Sequence, residues 1–385
     1  MKTSDTDNLK VLIVDDTIIY RKIVGDVLAE IPGVEVVGTA SNGKTAISRI
    51  ISLHPDLLTL DIEMPGMDGI EVLETINRQE LDVGVIMLSS LTHEGSELTV
   101  KALQLGAFDF IPKPESGSMS ENKAVIKEKL STIIRSFAGR REIKRILSGH
   151  VTMPRHADRP TAMETLRRPL VTAETVAERL EKVARKRPGR MLASKVVAIG
   201  ISTGGPRALG TLIPMLPEDI NIPILIVQHM PPLFTQSLAK SLNSKTGLHV
   251  KEAENGEPLV PNTVYIAPGG RHMKLSTGAN GEKIITITDD PPENSCRPSV
   301  DYLFRSVAKH FGEAATGVIM TGMGSDGSRG LEIMKENNAF VVAQDEPTCT
   351  VFGMPRGPIE AGIVDVVAPL DKIAGEIVNS VRMSR

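Results

Sequence analysis

Val196-Val197-Ala198-Ile199-Gly200-Ile201-Ser202-Thr203-Gly204-Gly205 runs an apolar stretch into a serine and a glycine turn. Two later stretches repeat the form. Ile224-Leu225-Ile226-Val227-Gln228-His229-Met230-Pro231 ends on a histidine, and Val318-Ile319-Met320-Thr321-Gly322-Met323-Gly324-Ser325-Asp326-Gly327 carries an aspartate in its turn. A short apolar run bounded by turn residues reads as a buried strand. From residue 194 onward such runs alternate with helical patterns, which predicts an α/β domain built on a parallel sheet. In an open parallel sheet the turns that follow the strands share the carboxyl edge, where ligands bind. Ser202, His229 and Asp326 are expected to meet there as nucleophile, base and orienting acid.

Gly200-Ile201-Ser202-Thr203-Gly204 fits the G-x-S-x-G turn that exposes a serine between strand and helix. Alone the pattern is weak, because such turns also serve as plain helix starts or phosphate cradles. The two partners strengthen it. His272 also follows a strand pattern and is the rival base, while His249 and His310 lie in ordinary surface or helical contexts. Ser202 would attack an acyl carbon, His229 would take its proton and pass it to the leaving group, and Asp326 would orient the imidazole. Backbone N–H groups near Thr203 and Met323 are the oxyanion candidates. The order Ser, His, Asp differs from the lipase-like order Ser, Asp or Glu, His, so an ordinary α/β-hydrolase fold is not expected.

Residues 9–130 show a second alternation. Strands are predicted at 10–14, 34–38, 56–60, 84–88 and 108–111, and helices at 17–30, 43–53, 68–78 and 93–105. Five βα units of this size make a small doubly wound domain. Its strand ends carry Asp15 and Asp16, Asp61, Ser89, and Lys113 just past Phe110-Ile111-Pro112. Three clustered carboxylates repel one another and call for a hard cation such as Mg²⁺ at Asp15, Asp16 and Asp61. The metal and Lys113 would neutralise a phosphoryl group accepted by Asp61, with Ser89 as a hydrogen-bond partner. Simple helix capping explains one such aspartate but not five positions in register. Gly38-Thr39-Ala40-Ser41-Asn42-Gly43-Lys44-Thr45 also fits the P-loop pattern. That reading leaves Asp15, Asp16, Ser89 and Lys113 without roles.

The net charge of −3 favours neither nucleic acid nor membrane as a partner. The average hides a basic stretch, since residues 131–190 hold 15 Lys/Arg against 6 Asp/Glu. That stretch reads as a solvated linker with helical pieces at 125–147 and 172–186. The expected division is therefore 1–130, a linker at 131–190, and 191–385. Two cysteines, Cys296 and Cys349, suit a reducing cytoplasm. The polar start Met1-Lys2-Thr3-Ser4-Asp5 does not resemble a signal peptide, and no apolar run approaches the ~20 residues of a membrane span. A cytoplasmic protein, not embedded in a membrane, is expected.

Residues 9–130 resemble a response-regulator receiver domain, on the strength of Asp15-Asp16, Asp61-Ile62-Glu63-Met64-Pro65-Gly66-Met67-Asp68-Gly69, Ser89-Ser90 and Lys113-Pro114. The resemblance implies that Asp61 takes phosphate from a histidine kinase and that Ser89 and Phe110 shift to report it. Residues 194–380 resemble the catalytic domain of the CheB chemotaxis methylesterases. The matching blocks are Ser202-Thr203-Gly204-Gly205-Pro206, Gln228-His229-Met230-Pro231, Tyr265-Ile266-Ala267-Pro268-Gly269-Gly270, Arg297-Pro298-Ser299-Val300-Asp301 and Met320–Asp326 with its glycines. This second resemblance implies hydrolysis of glutamate γ-methyl esters on the cytoplasmic helices of chemoreceptors, deamidation of receptor glutamines, and a Ser202–His229–Asp326 triad that needs no cofactor. It also implies that the unphosphorylated receiver blocks the esterase. The linker looks longer than the family's usual one. Two other outputs were open from the residues: a DNA-binding domain, which the strand-turn repeats from 194 disfavour, and a serine esterase or amidase of another substrate.

Overall fold

A computed structural model describes residues 8–114, 118–147 and 192–382. In the first sheet the strands are β1 (Leu9–Val14), β2 (Val34–Ala40), β3 (Leu57–Asp61), β4 (Gly84–Ser89) and β5 (Asp109–Pro112). They lie in the order β2-β1-β3-β4-β5, all parallel. Helices α1 (Ile18–Ala29), α2 (Gly43–Leu53), α3 (Gly69–Arg78) and α4 (His93–Leu105) fill the crossovers, and α5 (Met119–Leu147) follows β5. The order reverses between β1 and β3, so the crevice at their carboxyl ends falls where Asp15 and Asp61 stand. β1, β3 and β4 carry almost unbroken buried apolar residues because helices cover both faces.

The five predicted strands of this half match the observed ones to within two residues at each end. Residue 130, expected as the end of the first unit, lies inside α5, whose Ile126, Leu130, Ile133 and Ile134 pack against the sheet. The expected helix at 172–186 lies outside the described residues.

The second half is a seven-stranded parallel sheet. Its elements are β6 (Val196–Ile201), α6 (Gly205–Leu212), β7 (Ile224–Gln228), α7 (Phe234–Asn243), β8 (His249–Glu252) and β9 (Thr263–Ile266). The antiparallel hairpin β10 (His272–Thr277) and β11 (Lys283–Thr288) then stands apart from the sheet. The chain returns through α8 (Val300–Phe311), β12 (Ala315–Ile319), α9 (Ser328–Glu336), β13 (Phe340–Gln344), α10 (Arg356–Glu360), β14 (Val366–Ala368) and α11 (Leu370–Arg382). The order is β14-β13-β12-β6-β7-β9-β8. Connections leave β6 toward β7 on one side, and the later strands build out from β12 on the other. Three neighbouring strands, β12, β6 and β7, therefore deliver their carboxyl ends to one crevice.

The two halves touch. Helix α4 packs on α6 and α7, and Phe110 of β5 meets Phe234 of α7 with ring centroids 4.7 Å apart. Polar contacts frame this apolar seam. Ser96 and Ser237 share a buried hydrogen bond of 2.7 Å, and Lys240 pairs with Glu97 at 2.6 Å.

Candidate active site and phosphoacceptor site

Ser202 follows β6 in a turn tied down on every side. Its N–H donates to Thr321 O (2.9 Å), while its carbonyl accepts from Gly205 N (2.8 Å) and from Gln228 Nε2 (2.9 Å). Gly204 takes φ +80°, a left-handed conformation that favours glycine. A Cβ at Gly322 would lie 2.7 Å from Cβ of Ser202, so glycine there lets the loop after β12 close on Ser202. Thr321, Gln228 and Gln344 complete the support. Thr321 Oγ1 donates to Thr203 O (2.9 Å), and Thr321 N donates to Gln344 Oε1 (2.9 Å). These three residues were missed from sequence, although two of them end apolar strands as the triad candidates do.

His229 follows β7, and its Nε2 meets Asp326 Oδ2 at 2.9 Å. Asp326 is nearly fully buried at the N-terminus of α8. It accepts from Ser299 Oγ (2.9 Å), Val300 N (2.6 Å), Asp301 N (3.1 Å) and Asn294 Nδ2 (3.2 Å). A carboxylate is at home there because the first N–H groups of a helix have no partners within it. Burial opposes its charge, but the His229 hydrogen bond and those helix N–H groups hold Asp326 well below the ordinary carboxylate range. Burial likewise pulls His229 down, yet Asp326 and the neighbouring Cys296 thiol outweigh it and lift His229 to about 9.

The rival base is accounted for structurally. His272 is fully buried, stacks on Tyr302 at 4.4 Å, and has one ring nitrogen on Pro291 O (3.1 Å) and the other accepting from Ser299 N (3.2 Å). Both nitrogens are used in packing the α8 region.

Among the described residues, the N–H groups of Thr203 and Met323 meet no acceptor, as oxyanion donors must be free to do. Ser202 Oγ makes no hydrogen bond to His229. Ser202 and His229 instead line one cavity of about 170 Å³, together with Thr203, Met323, and Leu103, Asp109 and Phe110 of the first half. Asp109 Oδ2 accepts from Thr203 Oγ1 at 2.7 Å, beside Ser202. Burial raises Asp109 to about 6, against the pull of that hydroxyl.

At the other carboxyl edge, Lys113 Nζ bridges Asp15 (2.9 Å) and Asp61 (2.7 Å). Carboxylate oxygens of Asp15, Asp16 and Asp61 lie within 4.8 Å of one another. This all-oxygen, acidic set fits a hard divalent cation such as Mg²⁺. Burial raises Asp61 to about 6, with Lys113 opposing and Asp15 reinforcing. Ser89 is fully buried and turned toward α4. It receives the Thr99 hydroxyl at 2.6 Å and lies within reach of Ser90 O and Gly95 O. Phe110 stands at the seam between the halves. The P-loop pattern forms no cradle, because Asn42 caps α2 at Thr45 N (2.9 Å) and a Cβ on Gly43 would meet Met67 O at 2.5 Å.

Against known proteins, the family model described as CheB methylesterase matches residues 197–377, and that described as response regulator receiver domain matches residues 11–123. A protein-glutamate methylesterase/protein-glutamine glutaminase of Desulfotalea psychrophila is 50% identical over 98% of this chain and 99% of its own. Its counterpart in Bacillus subtilis is 40% identical over the same shares. Among solved structures, the Thermotoga maritima CheB methylesterase catalytic domain is 44% identical over 49% of this chain and 99% of its own, with a TM-score of 0.47.

Proposed function

The chain belongs to the CheB methylesterase family, with a response regulator receiver domain ahead of the esterase, and on that premise we propose how its residues do the work. It is a protein-glutamate methylesterase and protein-glutamine glutaminase under receiver control. The observation that carries the assignment of residues is the His229–Asp326 pair at 2.9 Å, beside Ser202 on the adjacent strand end.

Ser202 Oγ attacks the γ-carbonyl of a receptor glutamyl methyl ester. Because Nε2 is held by Asp326, Nδ1 is the nitrogen that accepts the serine proton, once the ring has lost its own. The N–H groups of Thr203 and Met323 receive the developing oxyanion, each worth roughly 3–4 kcal/mol in such sites. His229 returns the proton to the leaving oxygen, methanol departs, and water resolves the acyl-serine by the reverse relay. A glutamine substrate releases ammonia at the same step. The substrates are chemoreceptor helices, and the place of action is the cytoplasm. No described helix is long and apolar enough to cross a membrane.

In the receiver, Asp61 is the phosphoacceptor and a chemotaxis histidine kinase is the donor. Asp15, Asp16 and Asp61 would hold Mg²⁺, which supplies charge neutralisation for phosphoryl transfer, while Lys113 steadies Asp61 and the incoming oxygens. Ser89 and Phe110 report the change. In the arrangement described, Leu103, Asp109 and Phe110 wall the Ser202 cavity, so a receptor helix ~10–12 Å across cannot reach the nucleophile. A phosphoryl group adds about two negative charges at Asp61, enough to rework the loops that hold this wall.

Ser202→Ala is the direct test, with methanol release from methylated receptor as the readout. The variant should melt like the parent and lose at least a thousandfold in turnover. Undiminished turnover would remove Ser202 from its role, and turnover of small esters without any of receptor would favour a different esterase.

A further inference from the structure

Cys296 has no part in the acyl mechanism, yet its Sγ lies 3.9 Å from His229 Nδ1. It is partly exposed, and the His229 side chain is 15% exposed, so both can be reached from solvent. Asp326 stands behind the ring on Nε2, in the carboxylate–histidine arrangement that fixes a metal-binding imidazole. Ligand atoms of His229, Cys296 and Asp326 all fall within 4.8 Å of one another. Two ligands on a tetrahedral zinc, with Zn–S ~2.3 Å and Zn–N ~2.0 Å, sit about 3.5 Å apart, so a few tenths of an ångström close the observed gap.

We propose that His229 Nδ1 and Cys296 Sγ form a site for a thiophilic divalent cation of the zinc type, and that its occupancy silences the esterase. The thiol gives up its proton to solvent as the metal–sulfur bond forms, and the imidazole lone pair that would take the Ser202 proton goes to the metal. Asp326 stays outside as the orienting carboxylate, and water fills the open positions. With only two protein ligands the site is weaker than a four-ligand structural one. Its soft nitrogen–sulfur character separates it from the all-oxygen cluster at Asp15, Asp16 and Asp61, so the two ends of the molecule sort cations by type. Cys349 offers no such site, since it is buried and burial pushes its thiol up to about 12.

The inhibitory half rests on the triad assignment; the binding half does not. The test therefore has two arms on the full chain. Co²⁺ added to the wild type, with no substrate present, should give a sulfur-to-metal charge-transfer band that is missing in Cys296→Ser and Cys296→Ala. Zn²⁺ should stop methanol release reversibly on chelation, with a midpoint at least tenfold higher in either variant. Absence of the band in the wild type overturns the site, whatever the enzyme's activity. An unchanged Zn²⁺ midpoint in a folded variant overturns the inhibitory role, while a band without inhibition points back to the assignment of His229.

Discussion

Asp326 serves two masters at once, orienting His229 and closing the N-terminus of α8. Asp326→Asn keeps the shape but presents the wrong donor to the ring, so kcat should drop about 10³–10⁴-fold with KM little changed. Steady-state methanol release gives both constants. Asp109 behaves differently. Its carboxyl is raised to about 6 from 3.8, so the folded state holds that proton more tightly than the unfolded chain. The sign follows: this group favours folding fully only below about 3.8, and the contribution is lost as pH rises through about 6. Asp109→Asn retains an acceptor for the Thr203 hydroxyl without a charge at this half-buried position. It should be more stable than the parent at pH 7, on the order of 1–2 kcal/mol, and that advantage should vanish as pH falls toward 4 in parallel denaturant melts. A constant gap across this range would show that Asp109 is not held by the junction.

At the scale of elements, the strand ends made the placement of Ser202, His229, Asp326 and Asp61 legible. A run such as Ile224–Gln228, between helical patterns, suits a strand buried on both faces of a covered parallel sheet, and the residue after it then falls at the carboxyl edge. Order along the sheet was not legible, because nothing local in β12 or β6 announces that they pair. Asp109 escaped notice for the same reason: its partner Thr203 lies 94 residues away on another sheet. Asn294, Cys296 and Ser299 come from an irregular segment whose aim depends on where α8 and the loop after β12 converge. Ser89 was placed on the right strand end, yet only packing against Thr99 decides which way its hydroxyl turns. Phe110 was tied to signalling by resemblance, and the structure adds its tilted ring contact with Phe234 of α7. Aromatic pairs of this kind contribute ~0.5–1.5 kcal/mol beyond area burial. Phe110→Ala should therefore raise the activity of the unphosphorylated chain several-fold while leaving the phosphorylated rate near the parent's, as read by demethylation with and without a small-molecule phosphodonor.

For the whole molecule, the docked receiver predicts that residues 191–385 alone outpace the unphosphorylated full chain on methylated receptor. Equal or lower rates for the fragment would place the restraint elsewhere. The seam between α4 and α7 has a further consequence. Receiver and esterase are one polypeptide, so the two docked faces meet at an effective concentration of roughly millimolar order, independent of how many copies a cell contains. A tether of that kind lets a feeble interface hold the site shut, and a feeble interface is one that a single phosphoryl group can afford to undo. The balance between docked and released receiver is thus written into chain connectivity, insulated from fluctuations in expression that would unbalance a pair of separate proteins.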